Sequence, residues 1–268
     1  MKIKEVLNAI DEIAPFSLAE EWDRCGLRLG NEEATVTGIA VSLDPLPETV
    51  RQTAELGFNL LVTHHPLMFR PQENLICNRP DTCAAAEAFR RGVHIVACHT
   101  NLDSARGGVN ELLAQAAGLH SVEPLIPAED DRGFGMGAWG SVSAASCGDF
   151  CMAVASAWKL SGFRLLGKER PVSKVALCGG AGGDFWNIAR QKGAELYITA
   201  DIKYHECLEA LDAGLNLMIC DHGEMENPAL PPFSERLAHH TGLAVSVLDP
   251  AASIAAPGRW WAAREHHV

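Results

Sequence analysis

Five short apolar runs in this chain each stop abruptly in polar or glycine residues: LLVTHHP from Leu60, IVACHTNLD from Ile95, VALCGGAGG from Val175, LYITADIKYHE from Leu196 and LMICDHGEMENP from Leu217. Three or four apolar residues closed by a turn signal predict a strand buried on both faces. Helical patterns of ten or so residues separate the runs, which predicts βαβ units and largely parallel sheets. Parallel strands deliver their carboxyl ends to one edge, and open α/β folds bind ligands there. The repeated polar endings therefore locate the chemistry of the chain before any single residue does.

The remaining segments fit this frame. Ile3, Val6, Ile10 and Ile13 predict an opening amphipathic helix that stops near Pro15. Glu21 to Gly30, with two glycines and a tryptophan, reads as a structured loop. Strands are expected over Val36–Leu43 and Val93–Cys98, and helices over Pro47–Leu56, Thr82–Arg91 and Gly108–Ala117. Over residues 121–132 the pattern loosens, and Pro124, Pro127 and a Glu-Asp-Asp run predict a crossing into a second domain. Gly133–Ser143 reads as a glycine-rich strand or hairpin, and Val172–Cys178, Leu196–Thr199, Leu217–Cys220 and Leu243–Leu248 as strands. Cys147–Leu160, Asp184–Lys192, His205–Ala213 and Leu230–His239 read as helices. The expected architecture is two three-layer α/β domains with largely parallel or mixed sheets and a metal site in the cleft between them. The first takes residues 1–126 and recovers the stretch from about 240 to 268, and the second takes 127–239.

Three of the strand endings carry metal-type donors. His64 and His65 close the first; adjacent side chains diverge, so two neighbouring histidines suit two ions better than one, unless one packs and the other is merely exposed. His99 and Asp103 follow the second, and a carboxylate beside neutral imidazoles is a mixture that zinc, iron, manganese or nickel accepts. The competing reading has His99 bonded to a carbonyl and Asp103 capping a helix. His222 and Glu226 follow the fifth at i, i+4. Asn227-Pro228 resembles an N-cap followed by proline at N1, which predicts that both donors lie in a strand-to-helix loop, with Glu226 free to bridge. His64, His65, Asp103, His222 and Glu226 form the candidate ligand set. Two ions about 4 Å apart share a hydroxide and clamp attacking and leaving oxygens.

Other positions read two ways. The loop Gly179–Gly183 suits a phosphate on backbone N–H groups or simply a tight turn, and it lacks the spacing of a P-loop or dinucleotide fingerprint. Lys203, Tyr204, His205 and Glu206 follow the fourth run, with His205 a candidate acid or base or a surface residue. Trp22, Asp23 and Arg24 suit a cleft wall or an interdomain brace. His94, His120, His239, His240, His266 and His267 have no partner in the pattern and read as structural or exposed.

A net charge of -12 argues against broad binding to nucleic acid or an anionic membrane. Nine cysteines without a CxxC pair read as free thiols of a reduced, cytoplasmic chain. The N-terminus lacks an apolar signal core, and no window approaches a membrane span.

The segments EWDRCGLRLG, LVTHHPLMF, CHTNLD, LCGGAGG, TADIKYHE and DHGEMENP run from near residue 21 to near residue 237 with the helix that follows. Together they resemble the NIF-three-like family of dinuclear-metal-centre proteins, often called GTP cyclohydrolase type two homologues. The chain length is similar to the short form, without the inserted middle domain. The resemblance implies that His64, His65 and Asp103 are metal ligands. For the last pair, members usually read Asp-x-Gly-His-x-x-x-Glu. Matching Asp221-His222-Gly223 to its start puts Glu224 and Pro228 at the ligand positions, and proline cannot ligate. Sliding by two residues matches His222 and Glu226 and aligns Phe233–Leu237 without a gap. Glu224 stays a candidate substitute ligand or base, and Glu226, His99, Glu224 and His205 are the catalytic candidates. No dinucleotide or other organic cofactor site is expected.

The resemblance also implies a homohexameric ring and two divalent ions per chain. Its label implies GTP ring opening, in which water adds to the purine imidazole ring and formate leaves. The expectation is thus a metal-dependent hydrolase whose metal-bound hydroxide attacks a nucleotide or related small molecule; a phosphoester or amide fits the same ligands. The alternative is a non-enzymatic ring-shaped scaffold or metal chaperone that docks partner proteins. Five ligands for two ions leave coordination positions open, which favours the enzyme.

Overall fold

The computed structural model describes residues 1–248, and two mixed sheets carry its fold. In the first sheet Ile39–Ser42, Leu60–Thr63 and His94–Ala97 run parallel in adjacent positions. Val245–Val247 returns to pair in parallel with Ile39–Ser42, and Gly26–Leu29 closes the other edge antiparallel to His94–Ala97. In the second sheet Pro171–Leu177, Leu196–Thr199 and Asn216–Cys220 are parallel. Ala138–Ser146 and Phe163–Leu166 flank them antiparallel, with His120–Glu123 outermost. The chain has therefore entered the second sheet by residue 120, ahead of the proline-rich stretch. The expected C-terminal stretch beyond Leu248, including His266 and His267, lies outside the described residues.

The alternation of each strand assigns its side chains to different cores. Leu61, Ile95 and Ala40 meet the helices Pro47–Glu55 and Pro80–Arg91 on one face of the first sheet. Leu60, Val62 and Val96 point the other way, to a core with helices Ile3–Ile13 and Leu230–Thr241 that continues through Val175, Leu177 and Ile198 of the second sheet. Ala176, Tyr197 and Leu217 face the far side, under helix Tyr204–Asp212. Each sheet thus has helices on both faces, and one continuous core joins the two. The carboxyl ends of the parallel strands from both sheets face each other across it.

Most strands and helices fall within a few residues of their predicted bounds. Gly26–Leu29 and Phe163–Leu166 are strands that the sequence pattern does not announce. Each is an antiparallel edge strand, half-buried or exposed along its length, so no apolar run marks it. His222–Glu226 corrects the expectation of a loop. It is a short helix whose N-cap is Asp221, with the Asp221 side chain accepting from Glu224 N at 3.0 Å. Asn227-Pro228 continues it as a 3-10 turn into Leu230–Thr241, and there the missing proline N–H leaves no bond unmade.

Trp158, buried to 1% exposure, fills the shared core and donates from Nε1 to Leu113 O at 3.3 Å. Trp158→Ala is expected to lower unfolding stability by about 3–5 kcal/mol. Urea denaturation checks this: the midpoint should fall with little change in slope.

Candidate metal centre

Six strand ends supply the site. Thr63 is followed by His64 and His65, and Ala97 by His99 and the short helix Thr100–Ser104, which buries Asp103. Ile39–Ser42 is followed by Asp44. From the second sheet come Gly180 after Pro171–Leu177, Asp201 after Leu196–Thr199, and His222 and Glu226 after Asn216–Cys220. Their meeting is built from register, since neighbouring parallel strands stop level with one another.

Each imidazole is fixed through Nδ1 and turned so that Nε2 faces inward. His64 Nδ1 donates to Cys98 O at 2.9 Å, His65 Nδ1 to Asp44 Oδ1 at 2.7 Å, His222 Nδ1 to Asp201 Oδ2 at 2.7 Å and His99 Nδ1 to Asp23 Oδ1 at 3.0 Å. A carbonyl or carboxylate only accepts, so the proton of each neutral ring sits on Nδ1 and the lone pair on Nε2. The inward nitrogens converge on Glu226: His64 Nε2 is 3.7 Å and His222 Nε2 3.3 Å from Oε1, and His65 Nε2 is 3.2 Å from Oε2. Asp103 Oδ1 lies 3.7 Å from His64 Nε2. Buried His64 Nε2, Asp103 Oδ1 and Glu226 Oε2 have no hydrogen-bond partner. Donor atoms of His64, His65 and His99, and of His65, His222 and Glu226, form two groups able to hold a metal ion, with His65 common to both.

The electrostatics show how strongly these groups depend on one another. Burial disfavours the His65 cation, yet Asp44 and Glu226 outweigh it and push its pKa up to about 10. His222 is raised to about 9 against the same burial penalty, by Glu226 and Asp201. Burial works against ionised Glu226, but the surrounding imidazoles hold it well below the ordinary carboxylate range. For Asp103 burial wins, and its pKa rises.

Two further contacts lock the halves together. Buried Asn110 donates from Nδ2 to Asp103 O at 3.1 Å and accepts at Oδ1 from Gly179 N at 2.9 Å. Gly180 has φ +60, and a Cβ there would stand 2.3 Å from Glu226 Oε1 and 2.9 Å from His222 Nε2. The glycine loop is thus a tight turn that lets backbone approach the cluster; Gly180 O also accepts from Ala200 N at 3.0 Å.

The other candidates are placed as follows. His99 and Trp22 line the cavity above the cluster, and Asp23 braces His99 while also accepting from Thr100 N at 3.0 Å. Arg24 turns back to Asp23 O. Glu224 and His205 are not brought to the site. Glu224 Oε2 accepts from Ser161 N at 2.7 Å, because one residue after Gly223 its side chain leaves the opposite side of the helical turn from His222 and Glu226. His205 is exposed in the first turn of Tyr204–Asp212 and does not line the cavity. Asp44, Asp201 and Asn110 carry no assignment from sequence, whereas Gly180 lies in the loop read there as a phosphate cradle or a tight turn. Asp44 and Asp201 share the available signal, each standing two residues beyond a buried parallel strand.

The chain belongs to the Duf34/NIF3 (NGG1p interacting factor 3) family, whose model matches residues 1–251. A Lactococcus lactis protein named GTP cyclohydrolase 1 type 2 homolog is 32% identical over 219 residues, covering 80% of this chain and 83% of its own length. A Clostridium perfringens protein of the same name is 29% identical over 240 residues, 88% and 91% of the two chains. The crystal structure of a hypothetical protein from Staphylococcus aureus is similar with a TM-score of 0.87 and 26% identity, over 92% of this chain and 96% of that one. Among the described residues no helix is long and apolar enough to cross a membrane.

Gly180→Ala is expected to displace Glu226 and weaken divalent-ion binding by about tenfold or more. Competition with a chromogenic chelator measures it, and equal affinity would contradict the role given to the glycine. A second expectation concerns Asp23. Burial opposes its charge, but bonds from His99 and Thr100 hold its pKa well below the ordinary value of 3.8. A depressed carboxyl stabilises the fold above its unfolded pKa and loses that contribution as pH falls below it. Asp23→Asn should therefore cost about 2 kcal/mol at pH 7. The difference from the parent should shrink below about pH 4 in acid-unfolding curves.

Proposed function

We propose that this chain is a metal-dependent hydrolase that holds two divalent ions through His64, His65, Asp103, His222 and Glu226. One observation carries the reading: nitrogen and oxygen donors face one another at 3.2–3.7 Å, and three of them, His64 Nε2, Asp103 Oδ1 and Glu226 Oε2, are buried without a hydrogen-bond partner. Such an arrangement is costly unless a cation completes it. The mixture of imidazole and carboxylate suits zinc, iron, manganese or nickel. Glu226 faces three imidazoles with its two oxygens and would be available to both ions.

When bound, such ions supply Lewis-acid polarisation and a nucleophile from water at neutral pH. The chain's own residues do the rest. Asp44 and Asp201 orient His65 and His222, and Asp23 holds His99 so that its Nε2 can exchange a proton at the cavity floor. The cluster opens into a cavity of about 860 Å³, room for a small organic substrate, which favours catalysis over a closed scaffold site. The names of the relatives support a purine nucleotide or related molecule with an electrophilic ring carbon. The same proposal carries the homohexameric assembly, the cytoplasmic setting and the division into two domains, the first taking back the C-terminal strand and the second beginning by residue 120, ahead of the expected 127, and running to 239.

Protein reconstituted separately with zinc, manganese and iron tests this. Two ions per chain and formate release from GTP or guanosine are expected, with His65→Ala losing at least about a hundredfold in rate. Retained ions without turnover on either compound would reject the purine hydrolase, and a chain that keeps no ion would reject the centre itself.

A further inference from the structure

Above the cluster, the cavity is walled by aromatic side chains and by acids. Trp22 and Phe69 stand at its mouth with 54% and 51% of their surface exposed, their ring centroids 5.6 Å apart. Each ring is 6.1 Å from the ring of His99, so two exposed aromatics flank that imidazole. Ile126, Met136 and Phe185 extend the apolar wall.

Outside the imidazoles of the cluster at its floor, the charged part of the lining has one sign. Glu20, Asp44, Asp81 and Asp184 join Asp103 and Glu226, and among the described residues no Lys or Arg lines the cavity. The cations that pair with rim carboxylates are already engaged. Arg79 lies 3.0 Å from Asp81, and Lys203 lies 2.9 Å from Glu206 and 3.7 Å from Asp184. The chain as a whole carries -12.

These two features constrain the substrate in opposite ways. Large aromatic faces left open to water are a stacking surface for a planar ring. Phosphate recognition, by contrast, uses Arg, Lys or converging backbone N–H groups. In the ring opening of a purine the base must lie at the ions, so a triphosphate would trail away from the floor along the acidic wall, with no Lys or Arg to meet it. We propose that the Trp22–Phe69 shelf binds the planar, uncharged body of the substrate, and that the substrate class is a neutral heteroaromatic compound such as a nucleoside or free base, not a nucleoside triphosphate. The inference rests on the metal-centre reading only for where the reacting atom sits; the shelf and the wall charge stand without it.

Calorimetric titration of the zinc-reconstituted full chain with guanosine and with GTP tests the proposal, alongside Trp22→Ala and Phe69→Ala. Guanosine is expected to bind at least about tenfold more tightly than GTP. Each variant should weaken guanosine by about tenfold, with ion content and oligomeric mass unchanged. GTP binding as tightly as guanosine would overturn the proposal, as would the absence of guanosine binding. So would variants that keep guanosine affinity, or that instead change the oligomeric mass. Ion content measured on the same samples separates the two readings. A chain without ions that still prefers guanosine through Trp22 rejects the metal centre and supports the shelf. A chain with two ions that prefers GTP does the reverse.

Discussion

Three imidazole nitrogens and two carboxylates held face to face at the floor of a cavity form the constraint on which the rest of this structure depends. Glu226 is 3% exposed and His64 2%. An ionised carboxylate at such a position is expensive unless it is compensated. The imidazoles of His65 and His222 compensate it in part, as their raised pKa values show, but the 3.7 Å that separates His64 Nε2 from both Asp103 and Glu226 is that of groups spaced around something rather than bonded to each other. A divalent ion would replace protons as the compensating charge.

The surrounding fold reads as a device for holding that spacing. Parallel strands stopping in register deliver donors from both sheets to one place, and the continuous core fixes the sheets relative to each other. Around the donors, a carboxylate or carbonyl on each Nδ1 fixes ring orientation, Asn110 joins the Asp103 and Gly179 backbones, and Gly180 gives room where a side chain would collide. The cavity above has a different chemistry, aromatic and acidic, so positive charge is left to the floor.

Much of this was legible in the sequence, because buried parallel strands are apolar on both faces and end in a visible change of polarity. His64, His65, His222 and Glu226 fall at such endings, and the structure brings them together with Asp103. Edge strands such as Phe163–Leu166 carry no such signal. The helix His222–Glu226 was hidden because Asn227-Pro228 resembles a start signal, whereas it lies inside a helical run that Asp221 had already capped. Glu224 shares the acidic segment with Glu226, and only the helical turn separates the one that faces the cluster from the one that faces Ser161. Asp44 and Asp201 each sit 21 residues from the histidine they hold, and Asp23 76 residues from His99, contacts that only tertiary structure makes.

Anomalous scattering at the zinc edge, from crystals of the zinc-reconstituted chain, tests the central claim most directly. The account predicts two peaks, each touching the Glu226 carboxylate, with His64, His65, Asp103 and His222 donors at about 2.0–2.2 Å. A single peak, or peaks held by other residues while this cluster stays spaced as it is, would contradict it.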